Sequence, residues 1–208
     1  MKLTVLGPGC WGLTLAWLMN DNFEEIVVWG RECDLNDELV NNKHCSKPLE
    51  VQLDKKVEIT SDLKNAIDGA DIILSVVATS GVRSVCEQLK VAGIKPEQPL
   101  VNASKGLELN TLMRMSEVIK DVLPEQKIVI LSGPTLAKEV LQGKPTAASV
   151  ACEDMEVAEF VQKACNVPNR FRLYTNSDVI GVELGGSLKN VIAIASGFAH
   201  TMELGDNC

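Results

Sequence analysis

The residues best suited to chemistry in this chain begin at its amino terminus, with Gly7-x-Gly9-x-x-Gly12. The triplet directly follows an apolar segment, Lys2 to Leu6, and opens a helical one. In that setting the first glycine allows a tight turn and the second lets backbone approach a pyrophosphate. The third lets the helix pack on the strand, and the helix N-terminus turns its N–H groups towards the phosphates. About 20 residues on, where a ribose-reading acid is expected, the sequence gives Trp29-Gly30-Arg31-Glu32. No acid stands at the strand tip, whereas Arg31 suits a 2′-phosphate or stacking on adenine. The expected cofactor is therefore NAD or NADP, with NADP or dual use favoured.

Three further groups lie downstream. Ala103-Ser104-Lys105-Gly106-Leu107-Glu108 puts a lysine at the carboxyl end of a strand, the edge where open α/β sheets bind ligands. Leu131-Ser132-Gly133-Pro134-Thr135 repeats that geometry, with a hydroxyl at a helix start suited to a phosphate or to an ordinary N-cap. Lys189 follows Gly185-Gly186-Ser187-Leu188 inside an otherwise apolar helix. An ammonium buried there must reach solvent or work with a depressed pKa. The paired glycines imply that something approaches the helix backbone closely.

The elements that position these groups alternate. Strands are expected at Lys2–Leu6, Ile26–Trp29, Ile72–Val77, Leu100–Ala103, Ile128–Leu131, Ala147–Ala151 and Arg172–Tyr174, with a brief one around Val57 and Ile59. Helices lie between them, and 43–56 is read as a loop. Strands apolar on both faces imply an α/β fold with a parallel sheet covered on both sides. Ser177 to Ala199 reads as one long helix, apolar almost all round, which belongs in a core.

Composition narrows the function. The chain has 208 residues, about 1.4 domains of ordinary size. Its 20 basic against 28 acidic residues give a charge of −8, so no basic surplus is available for nucleic acid. The seven cysteines (10, 33, 45, 86, 152, 165 and 208) are odd in number and lack a C-x-x-C, which suggests reduced, mostly buried thiols and a cytoplasmic protein. With only two histidines, no metal site is expected. No uninterrupted apolar run reaches the length of a membrane span.

In order, VLGPGCWGLTLA (5–16), VVWGRE (27–32), ASKGLE (103–108), LSGPTLAKEV (131–140), YTNSDVIGVELGGSLKNVIAIASG (174–197) and LGDN (204–207) resemble the bacterial NAD(P)-dependent glycerol-3-phosphate dehydrogenases. The resemblance implies a Rossmann-type domain, taken as 1–175, and the first part of an all-helical substrate domain, 176–208. It implies hydride exchange between NAD(P)H and dihydroxyacetone phosphate or glycerol 3-phosphate. The cofactor would lie on Gly7, Pro8, Gly9, Cys10, Trp11 and Gly12, with Arg31, Lys105 and Ala137. The small phosphorylated substrate would lie on Lys105, Gly133, Thr135, Lys189 and Asn190. Lys189 would be the general acid/base and Lys105 its catalytic neighbour. Ala78 stands where the family often has proline, and His200-Thr201 where it often has Asp-Gly. The family's helical domain is longer than 176–208, so the chain is expected to be an amino-terminal portion, weakly active alone and homodimeric in full-length form. A non-catalytic dinucleotide module and a 3-hydroxyacid or ketopantoate-type reductase are the alternatives.

Overall fold

The computed structural model describes residues 1–205. Asp206, Asn207 and Cys208, and so the end of the LGDN segment, lie outside the described residues.

Strand β1 (Lys2–Leu6) leads into helix α1 (Cys10–Leu18), and β2 (Glu25–Trp29) follows. A 3-10 turn at Glu32–Asp34 precedes α2 (Asp37–Asn42). The segment read as a loop contains a small antiparallel hairpin, β3 (His44–Cys45) with β4 (Val51–Gln52). Strands of two residues are too short to leave a periodic signal. Next come β5 (Glu58–Thr60), α3 (Leu63–Ile67), β6 (Ile72–Ser75), α4 (Val82–Ala92), β7 (Leu100–Asn102) and α5 (Met115–Val122). The chain continues through β8 (Ile128–Ser132), α6 (Ala137–Leu141), β9 (Thr146–Ala151), α7 (Met155–Cys165), β10 (Phe171–Asn176) and α8 (Val179–Thr201).

The main sheet has the order β10-β9-β8-β7-β6-β1-β2-β5. From β1 the chain winds outwards through β2 and β5, then crosses back to β6 on the other side of β1. That reversal opens a crevice at the carboxyl ends of β1 and β6. The six neighbours β8-β7-β6-β1-β2-β5 all pair in parallel. The all-parallel expectation fails at one seam, where β9 runs antiparallel to β8. The link between them packs the short helix α6 against α1 and returns beside the carboxyl end of β8, a hairpin-like connection rather than a crossover. Strand β10 is parallel to β9, so the last two strands form a reversed edge.

Both sheet faces are buried, as the continuous apolar strands require. Val5, Val28 and Leu74 face α1, while Val27, Ile73 and Leu100 face α3, α4 and α5.

The long helix departs from its expected place in a core. Glu183 is its one buried residue, and Val191, Ile192, Ile194 and Phe198 are all more than 60% exposed. Only its first half docks, because the layers formed by residues 1–176 end beside that half. Among the described residues α8 is also the one helix long and apolar enough to cross a membrane, with a mean hydropathy of 1.3. Length and composition alone give that result, and the core helix of a soluble protein meets the same measure.

Candidate active site

Gly7 and Gly12 take the turn and packing roles that the spacing predicts. Gly7 has φ +109, a backbone conformation that L side chains rarely adopt, and its N–H donates to Trp29 O at 2.8 Å. A Cβ on Gly12 would stand 2.1 Å from Gly7 O, so only glycine lets α1 close on the turn. Gly9 differs from both. Its φ is an ordinary −71, and a Cβ there would meet nothing within 4 Å. Nothing in the fold requires a glycine at this position. An open space above a helix N-cap is what close backbone approach to a pyrophosphate needs.

That space belongs to a cleft of about 600 Å³ at the carboxyl ends of β1, β2 and β6. Gly7, Pro8, Gly9 and Arg31 line one side, and Ser80, Ser84 and Gln88 another. The second wall was not found by sequence reasoning. Its signal was the segment following β6, which must face the glycine loop once β6 pairs with β1. Cys10 and Trp11 open α1 but do not line the cleft; Trp11 packs edge-on against Phe171, with ring centroids 6.3 Å apart. Burial, and then the nearby Cys45 thiol, push the Cys10 thiol above its usual range. Ala137 starts α6, which packs beside α1 outside the cleft lining.

Arg31 lines the cleft with its fork engaged. Its Nε donates to Asp34 Oδ2 at 2.7 Å and its Nη2 to Asp34 Oδ1 at 2.8 Å. This acid near the strand tip is the one sequence reasoning found missing, and the 3-10 turn after β2 folds it back onto Arg31.

A second constellation forms where β7 and β8 end. Lys105 Nζ donates to Gly133 O and to Thr135 Oγ1, both at 2.9 Å. Thr135 therefore does not cap a helix; α6 starts two residues later, and the Thr135 N–H turns inward to Gly133 O at 2.9 Å. An ammonium has three donors, so one remains for a ligand. Burial, and then the charge of Lys189, lower the pKa of Lys105 from its usual value.

Helix α8 docks on this constellation through close contacts. Ser187 Oγ accepts from Gly106 N at 3.0 Å and donates to Glu183 O at 2.9 Å. A Cβ on Gly186 would stand 2.4 Å from Ser132 Oγ, which is the close approach the paired glycines imply; Gly185 has open space instead. One turn earlier, Glu183 accepts from Arg114 Nη1 and Ser116 N, each at 2.8 Å, and from Ser116 Oγ. Of the two courses open to an ammonium on this helix, Lys189 takes the exposed one, and the adjacent Asn190 is exposed as well. Their half of α8 has begun to leave the sheet layers, and Lys189 reaches Lys105 through its field. The site thus gathers Lys105, Gly133 and Thr135 tightly and leaves Lys189 and Asn190 at its margin. Among the described residues no group of acidic, histidine or cysteine side chains could hold a metal ion. Of the six described cysteines, three are buried and all are free thiols.

A doubly wound sheet with a glycine turn, an open cradle at its switch point and a lysine at the neighbouring strand end defines a Rossmann-type α/β protein. Residues 2–158 match the family model for the NAD-dependent glycerol-3-phosphate dehydrogenase N-terminus, and 178–208 match the model for its C-terminus. The chain belongs to the NAD-dependent glycerol-3-phosphate dehydrogenase family. It is 42% identical over 207 residues to glycerol-3-phosphate dehydrogenase [NAD(P)+] of Thermoanaerobacter sp., covering 100% of this chain and 62% of that relative. The Bacillus pumilus protein of the same name is 41% identical, with 99% of this chain and 60% of the relative covered. Among solved structures, glycerol-3-phosphate dehydrogenase of Coxiella burnetii superposes with a TM-score of 0.82 at 31% identity, covering 99% of this chain and 63% of that one. The Plasmodium falciparum enzyme gives a TM-score of 0.88 at 26% identity, covering 100% and 61%. The chain thus spans about 60% of the length of the curated relatives it matches.

Proposed function

We propose that this chain is the dinucleotide-binding and lysine-bearing portion of a dehydrogenase that interconverts dihydroxyacetone phosphate and glycerol 3-phosphate. The observation that carries the proposal is the adjacency of two features. An open glycine cradle lies at the β1/β6 switch point, and a part-buried lysine with one unused donor lies at the end of β7, next to β6. In this reading residues 1–175 bind the cofactor and 176–208 begin the helical substrate domain. That domain would cover the apolar half of α8 and bring Lys189 and Asn190 onto the substrate.

NAD or NADP, when bound, supplies or accepts the hydride at C2. Gly7, Gly9 and the α1 N-terminus hold its pyrophosphate. Lys105 orients the substrate oxygen with its free donor, and Thr135 and Gly133 fix Lys105. Lys189 gives the C2 oxygen its proton in reduction and removes it in oxidation. Burial and then the Lys189 charge in turn lower the pKa of Lys105, which keeps the two ammonium groups working on one oxygen. The family resemblance also suggests a cytoplasmic homodimer at full length.

The test is dihydroxyacetone-phosphate-dependent loss of reduced-nicotinamide absorbance in protein of the relatives' full length, alongside dinucleotide binding by the present chain. The expected result is binding by both and turnover that needs Lys189. Binding without turnover in the full-length protein would favour the non-catalytic module. Preference for an unphosphorylated hydroxyacid in a substrate panel would favour the other reductase class.

A further inference from the structure

Among the residues lining the dinucleotide cleft, Arg31 is the only cation and Asp34 the only anion. The two form a bidentate pair, with bonds of 2.7 and 2.8 Å, at the mouth where β2 ends. The Arg31 backbone N–H also donates to Asp34 Oδ2 at 3.3 Å, so the 3-10 turn holds the carboxylate in place. Arg31 keeps 67% of its side chain exposed, so the guanidinium is accessible but already engaged.

We propose that Asp34 sets the discrimination between dinucleotides with and without a 2′-phosphate, by occupying the fork of Arg31 at the ribose end of the cleft. This rests on the reading of the cleft as a dinucleotide site.

A 2′-phosphate carries nearly two negative charges at neutral pH, and a free arginine fork would bind it bidentately. Here the same fork faces a carboxylate, and the pair presents almost no net charge. The phosphate must displace Asp34 or lie beside its negative oxygens. An unmodified ribose has no such conflict, since its 2′-hydroxyl donates to a carboxylate. Arg31 alone points to NADP. The pair shifts the site towards dual use or NAD.

The test measures equilibrium binding of NADPH and NADH by nicotinamide fluorescence in the wild-type chain, Asp34→Asn, Arg31→Ala and the double variant. Asp34→Asn is expected to raise the NADPH-to-NADH affinity ratio about tenfold, the effect of one charge near a protein surface. The gain is expected to shrink as salt rises, and to vanish in the Arg31→Ala background. Asp34→Ala, which also removes the hydrogen-bonding amide, should act in the same direction. A ratio unchanged within about threefold in both Asp34 variants, or a gain that persists without Arg31, overturns the proposal. Failure of the wild-type chain to bind either nucleotide overturns the dinucleotide reading itself and the proposal with it.

Discussion

Lys105 and Thr135, thirty residues apart in sequence, are joined by a 2.9 Å hydrogen bond from the ammonium to the hydroxyl. The bond ties the loop after β7 to the turn after β8, and it fixes the direction of the lysine's remaining donor. The lowered pKa of Lys105 arises from burial first and the Lys189 charge second. Replacing Lys189 with methionine should therefore raise the Lys105 pKa towards its ordinary value. Amine-reactive labelling of Lys105, followed by mass spectrometry across a pH series, should shift to higher pH. An unshifted profile would separate the two lysines.

In protein of the relatives' full length, Lys189→Ala should abolish turnover while leaving dinucleotide affinity within about threefold of wild type. Steady-state kinetics and nucleotide titration read the two effects separately. Retained turnover removes Lys189 from the acid/base role.

Gly9 and Gly12 should respond to substitution in opposite ways. Gly12→Ala places a methyl against Gly7 O and should cost about 2 kcal/mol or more, seen in a urea titration. Gly9→Asp meets open space, so stability should hold, while a carboxylate in the phosphate cradle should weaken dinucleotide binding at least about tenfold. Equal binding by Gly9→Asp and wild type would leave the cradle without a ligand.

Glu183 anchors α8 through a buried carboxylate, with 5% of its side chain exposed, against Arg114 and Ser116. Glu183→Ala leaves the Ser116 N–H and hydroxyl without their acceptor and Arg114 with Glu117 alone, and should cost about 2 kcal/mol. Because Gly106 N donates to Ser187 one turn along, the Gly106 amide should lose hydrogen-exchange protection in that variant. Unchanged protection would show that Gly186 and Ser132 suffice to hold the helix.

Glu108 closes the Lys105 loop by accepting from Arg83 Nε at 2.8 Å and Nη2 at 3.0 Å. The Arg83 hydrogen bonds, and then that of Thr111, hold its pKa down at about 2 from an ordinary 4.5. The unfolded chain binds more protons between those values, so this contribution is complete above pH 4.5 and fades as pH falls towards 2. Glu108→Gln should lower the urea midpoint at neutral pH, and the difference from wild type should close in that acid window. A pH-independent difference would point to packing as the cause.

The sequence by itself determined the parallel core of the sheet, because β1, β2, β6, β7 and β8 are apolar on both faces and only a doubly covered sheet buries them so. It also determined the glycine turn, since the spacing of Gly7, Gly9 and Gly12 has one geometric use between a strand and a helix. Tertiary structure decided what depends on residues distant in the chain. The reversal of β9 is invisible in residue type, because apolar strands read alike in either direction. Asp34 lies outside the strand tip in sequence, and only the turn after β2 folds it onto Arg31. The apolar run from Ser177 to Ala199 reads as a core helix, yet burial belongs to whatever packs around a helix, and the layers formed by residues 1–176 reach only the half of α8 that Glu183, Gly186 and Ser187 hold down.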